Sequence, residues 1–214
     1  MWHLNLEKVR SALGPGATLG NVAIETGTLR GAGTLALARV FPRVITMELS
    51  EEIHRRAERR LRSNKAIRCL KGNSAALLPS ILEELAGEPA VFFFLDAHWS
   101  GDASVNWENA RWKGYGFDTA HLGANGAAPS GPEQCPLADE LKAISAHCRG
   151  QAIILIDDAK NLPEIGPGRR GVEFPEEDWS HLSRASLRGL IGPRLKKEFT
   201  LKDPEQWLLC LSPL

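Results

Sequence analysis

Cysteine is scarce and scattered. The four present, Cys69, Cys135, Cys148 and Cys210, form no C-x-x-C pair, which argues against a zinc site or a disulfide framework and for reduced thiols. An excess of either charge is also missing. Lys and Arg total 26 and Asp and Glu total 26, so no global field draws the chain to nucleic acid or to an anionic membrane. No apolar run is long enough to cross a bilayer. Met1 to Arg10 carries Glu7, Lys8 and Arg10 and lacks an apolar stretch, so no signal peptide is visible. Repeats and low-complexity segments are absent too. The expectation from these gaps is a cytoplasmic protein with no membrane and no nucleic-acid partner.

What is present is ordinary globular composition, 43% apolar and 24% charged over 214 residues. That length fits one α/β domain spanning 1–214. Short apolar runs alternate with helical patterns. Val22 to Glu25 reads as a strand, followed by a Gly-rich turn and a helix to about Phe41. Val44 to Glu48 reads as a second strand, and Ser50 as the cap of a helix with Ile53, Ala57 and Leu61 on one face. The arginines of that helix read as a solvated outer face paired with Glu. Ile67 to Leu70, Ala90 to Asp96 and Ala152 to Asp157 are further strands, with helices over Ser74 to Leu85 and Leu137 to Cys148. The runs A-V-F-F-F-L-D and A-I-I-L-I-D are continuously apolar, as in parallel strands buried on both faces. Arg194 to Leu201 and Gln206 to Leu211 read as a closing strand pair joined by a tight D-P-E turn. The pattern predicts an α/β fold: an open, mostly parallel sheet with helices on both faces and a C-terminal antiparallel hairpin.

Candidate chemistry collects at the C-terminal ends of these strands, the edge where open α/β sheets bind ligands. The first strand runs into I-E-T-G-T-L-R-G-A-G, where Gly27, Gly31 and Gly33 let the backbone turn sharply and approach a ligand. Its spacing is not G-x-G-x-x-G, so the nicotinamide dinucleotide fingerprint is not met. Glu48 ends the next strand about twenty residues on, where a carboxylate can accept from both ribose hydroxyls. Asn73 in G-N-S after the third strand suits either an adenine contact or a helix cap, the latter open to Ser74 as well.

The stretches I-E-T-G-T-L-R-G-A-G-T, V-I-T-M-E-L-S, L-K-G-N-S-A, F-F-L-D-A-H-W-S-G, C-P-L-A-D-E-L-K-A-I and I-L-I-D-D-A resemble class I S-adenosylmethionine (SAM)-dependent methyltransferases. More narrowly they resemble bacterial macrocin O-methyltransferase and cephalosporin-hydroxylase-like relatives, over roughly residues 20 to 160. The resemblance implies a Rossmann-like fold and SAM as cofactor. It implies cofactor contacts for Glu25, Thr26, Gly27, Thr28 and Gly31 in the first turn, Glu48 and Leu49 after the second strand, Asn73 and Ser74 after the third, and Asp96 after the fourth. Glu25 and Gly27 would sit by the methionine moiety, Glu48 by the ribose and Asn73 near the adenine. Leu29 stands where many methyltransferases have glycine, a mark of these relatives.

Asp96, Asp157 and Asp158 end the fourth and fifth strands. Adjacent strands lie about 4.8 Å apart, so these acids can share one hard cation, with Mg2+ the candidate. They can equally cap helices or border the cofactor without a metal. His98 is the candidate general base for taking a hydroxyl proton, or else a loop residue. From Ala97 to Pro136 runs a long segment without periodicity, a candidate lid. Its Trp99, Trp107, Trp112, Tyr115 and Phe117 could cover an acceptor, or anchor the loop to the sheet or to a second subunit of a homodimer. The expectation is a SAM-dependent methyltransferase acting on a hydroxyl of a small molecule with a divalent metal. The alternatives are a SAM- or nucleotide-binding protein without methyl transfer, and a methyltransferase acting on a macromolecule.

Overall fold

The computed structural model describes residues 4–98, 135–162, 164, 179–202 and 206–214. The apolar runs become a seven-stranded sheet of order β3-β2-β1-β4-β5-β7-β6. β1 (Val22–Thr26), β2 (Arg43–Glu48), β3 (Ile67–Lys71), β4 (Ala90–Leu95) and β5 (Gln151–Ile156) pair in parallel. β6 (Leu195–Leu201) and β7 (Gln206–Leu211) are antiparallel, and β7 inserts between β5 and β6. The predicted α/β fold is the one observed.

Strand residues alternate between two cores. Ile24, Met47, Phe93, Ile154 and Leu209 face one side, where α4 (Ser74–Glu84), α5 (Leu137–His147) and α6 (Arg184–Ile191) bring Leu78, Leu141 and Leu187. Ala23, Val44, Phe92, Ile153 and Leu208 face the other, packing with Val9 of α1 (Leu6–Leu13) and Leu37 of α2 (Ala32–Leu37). Both faces are covered, so β1 and β4 are buried at every position. Each fully buried Phe or Ile contributes roughly 1.5–3 kcal/mol. β3, at the sheet edge, is only half-buried.

Register places the site. Thr26 lies opposite Met47 and Leu95, Leu95 opposite Ile156, and Met47 opposite Leu70. The residues that follow, Gly27, Glu48, Lys71, Asp96 and Asp157, therefore emerge along one edge. The chain changes direction between β1 and β4, the switch point where such sheets open a crevice.

Local signals hold where expected. Ser50 Oγ accepts from Ile53 N at 3.3 Å and starts α3 (Glu51–Leu61), which buries Ile53, Ala57 and Leu61. The C-terminal end of α5 is satisfied by a residue distant in sequence. The Arg194 guanidinium donates to the carbonyls of Ile144, Ser145, Cys148, Gly150 and Ser212, supplying donors at a helix end where no further turn does.

Two helices go beyond the sequence reading. α1 and α6 are eight residues each, too short to persist without tertiary packing. Of the expected lid, residues 99–134 lie outside the described residues, and with them Trp99, Trp107, Trp112, Tyr115 and Phe117. The expected turn at 203–205 does so too.

Candidate active site

The turn after β1 is held by the end of β2. Gly27 N and Thr28 N both donate to Met47 O, at 3.0 and 3.1 Å. Leu29 adopts φ +46°, the left-handed region usually left to glycine, and its N donates to Glu48 Oε2 at 2.9 Å. Glu48 Oε1 accepts from Ser50 N at 2.9 Å. The carboxylate thus stabilises the strained Leu29 and the start of α3 together. Gly27 has φ +82°, and a Cβ there would stand 2.5 Å from the carbonyl oxygen of Asp96. The requirement for glycine comes from the close approach of β4's end, in addition to any ligand.

Glu25 points inward. Its Oε2 accepts from Thr34 Oγ1 at 2.5 Å and from Thr46 Oγ1 at 2.7 Å. Thr46 is in turn 2.6 Å from Thr28 Oγ1. Burial pushes the Glu25 carboxyl up to about 8, against the two threonine hydrogen bonds. At neutral pH it is mostly neutral, a hub beneath the turn. Gly31 caps α2 at φ +70° with Leu61 packed against it. Leu49 is 39% exposed, and Asn73, also exposed, caps α4 by accepting from Ala76 N at 3.2 Å. The capping reading of Asn73 is thus realised. Ser74 is buried, and its hydroxyl donates to Glu140 of α5.

The acids assemble differently from the sequence expectation. Ligand atoms of Asp96, His98 and Asp158 all lie within 4.8 Å of one another. His98 Nε2 is 3.1 Å from Asp158 Oδ2 and 3.7 Å from Asp96 Oδ1. Asp157, expected in this group, turns away: its Oδ1 accepts from Gln206 Nε2 of β7 at 2.8 Å. Side chains of successive residues at a strand end leave on opposite sides, so Asp157 and Asp158 diverge and His98 takes the third place. Asp158 itself has φ +48°, a conformation that Asp tolerates better than most residues.

Charge differs sharply within the group. Burial raises the Asp96 carboxyl to about 7, with Asp157 and Asp158 adding to it and His98 opposing. Burial also works on Asp158, but His98 and Lys160 outweigh it and hold its carboxyl well below the usual range. Lys160 Nζ lies 3.4 Å from Asp158 Oδ1. A carboxylate only accepts, so His98 Nε2 carries the hydrogen toward Asp158 and Nδ1 is the basic nitrogen.

Sequence reasoning missed Glu140, Lys160, Trp179 and Gln206. Glu140 left a trace: Leu137, Glu140, Leu141 and Ile144 share one helical stripe, so a carboxylate stands on an apolar face. Trp179 left none. It meets the His98 ring edge-on, centroids 5.7 Å apart, and its buried indole N–H has no hydrogen-bond partner among the described residues.

No family model matches the chain, and no curated protein matches it by sequence. Solved structures do. The SAH-bound methyltransferase PaMTH1 of Podospora anserina aligns at TM-score 0.50 with 14% identity, covering 91% of this chain and 72% of its own. A chain of the complex between the Haloferax volcanii Trm112 methyltransferase activator and a methyltransferase aligns at TM-score 0.52 with 12% identity, covering 93% and 85%. The PH0226 protein of Pyrococcus horikoshii aligns at TM-score 0.50 with 12% identity, covering 98% and 89%. At such identities the likeness is one of fold, and the fold is the Rossmann-like one of SAM-dependent methyltransferases.

Proposed function

We propose that this chain is a SAM-dependent methyltransferase acting on a hydroxyl of a small molecule. The observation that carries the reading is a convergence: the Gly27 turn, Glu48 and Asn73 share one sheet edge with Asp96, His98 and Asp158. SAM would lie across the ends of β1, β2 and β3. Its ribose hydroxyls would meet Glu48, and its sulfonium methyl would point toward β4, where His98 stands. Methyl transfer breaks the S–CH3 bond as the acceptor oxygen forms the new one, and the hydroxyl proton must leave. His98 takes that proton at Nδ1, and Asp158 stabilises the imidazolium through Nε2.

Two carboxylates and an imidazole within 4.8 Å also fit a divalent cation. With a nitrogen in the set, Mn2+ fits as well as Mg2+. When bound, such an ion would lower the pKa of the acceptor hydroxyl. His98 would then serve as a ligand, and the base would have to be found elsewhere. The two roles of His98 exclude each other.

The test is calorimetric titration with SAM and SAH, followed by transfer of labelled methyl from SAM to a panel of catechols, phenols and sugars. Binding with transfer is expected. Binding without transfer to any acceptor would favour a SAM-binding protein, and absence of binding would end the reading. Activity retained in excess EDTA would assign His98 as the base, whereas loss restored by Mn2+ or Mg2+ would assign it as a ligand.

A further inference from the structure

Thr26 and Ser74 flank the proposed cofactor site, yet both lie against Glu140 of α5. Ser74 Oγ donates to Glu140 Oε1, and the Thr26 side chain lies near enough to the same carboxyl to favour its charged form against burial. Thr26 Oγ1 also accepts from the backbone N of Asp96 at 3.2 Å.

Glu140 is 1% exposed, on a helix face otherwise made of Leu137, Leu141 and Ile144. A leucine would fill that place without desolvating a carboxyl, which is costly even when hydrogen-bonded. The three elements it joins are the ones that carry the site. β1 leads to Gly27, α4 begins after Asn73, and Asp96 opens the segment with His98. One buried carboxyl spans the cofactor half and the acid half.

We infer that Glu140 is a positioning residue: through Thr26 and Ser74 it sets the spacing between the Gly27 and Asn73 edge and the Asp96 and His98 edge, without touching a ligand. The inference rests on the methyltransferase reading, and SAH is its probe. Calorimetry with SAH and thermal unfolding are measured on the wild type, Glu140→Gln and Glu140→Leu. Glu140→Leu should unfold cooperatively but bind SAH about 10–100-fold more weakly, the range typical of groups that orient a site from behind. Glu140→Gln keeps the size and one oxygen able to accept from Ser74, and should stay within about 3-fold of wild type. Rescue by glutamine with failure by leucine is what a merely space-filling role would not produce. Wild-type affinity in a folded Glu140→Leu protein would overturn the inference. Where that variant does not fold, Thr26→Val combined with Ser74→Ala decides: a loss of about 10-fold or more supports the inference, and unchanged affinity overturns it. A wild-type protein that does not bind SAH would instead overturn the methyltransferase reading itself, and the wild-type titration keeps the two failures apart.

Discussion

Burial pushes the Glu25 carboxyl up from the ordinary 4.5 to about 8, and this has a measurable sign. Below pH 4.5 folded and unfolded chains are both protonated here. Between 4.5 and about 8 the unfolded chain has lost the proton and the folded one retains it, so this group's contribution to stability falls as pH rises. Glu25→Gln keeps an oxygen for Thr34 and Thr46 and removes the titration. Its melting temperature should gain on wild type from pH 5 to pH 8, whereas parallel curves would show that the carboxyl is not held neutral. Glu48 accepts from Leu29 N and Ser50 N. Glu48→Ala should weaken SAH binding by roughly 1.5–3 kcal/mol, by losing the proposed ribose contact and loosening the turn. Gly27→Ala places a Cβ 2.5 Å from Asp96 O at positive φ, and denaturant melts should show a loss of roughly 2–4 kcal/mol.

At the scale of the element, α5 depends on Arg194 more than on its own sequence. Five carbonyls from α5, the turn after it and the chain's C-terminal end share that one guanidinium. Arg194→Ala should cost at least about 3 kcal/mol in urea unfolding, since buried carbonyls lose their donors. Arg194→Lys should recover little of it, because an ammonium cannot reproduce the planar fork. A lysine variant as stable as wild type would show that the charge alone matters. Because α5 also carries Glu140, the arginine variants should weaken SAH binding along with stability.

For the whole molecule, ligand and fold are linked. A cofactor that binds only the folded chain adds about 2.7 kcal/mol at a hundredfold excess over its Kd. For a domain of this size that raises the melting temperature by roughly 5–10 °C. SAH should produce this shift and adenosine alone a smaller one, because on the proposed placement adenosine would reach Glu48 and Asn73 and leave the Gly27 turn untouched. Equal shifts would move the methionine end of the ligand away from that turn.

The strands, their order of burial and the edge they present were legible in the sequence. Continuous runs such as A-V-F-F-F-L can be stable only between two covered faces, and the strand-end residues Glu48, Asp96 and Asp157 mark where those runs stop. Ser50, too, reads as a cap because capping depends on residues a few positions away. Other features were settled only by tertiary structure, because they depend on direction and on distant partners. Three acids in the sequence look interchangeable as ligands. In the fold Asp157 is held by Gln206 of β7, and the left-handed backbone at Asp158 turns that carboxylate to His98. Ser74 reads as a cofactor residue by position, yet its hydroxyl donates to Glu140, which lies 66 positions beyond it. Local pattern determines which residues reach the edge; the packing of α5 and β7 behind it determines which way their side chains turn.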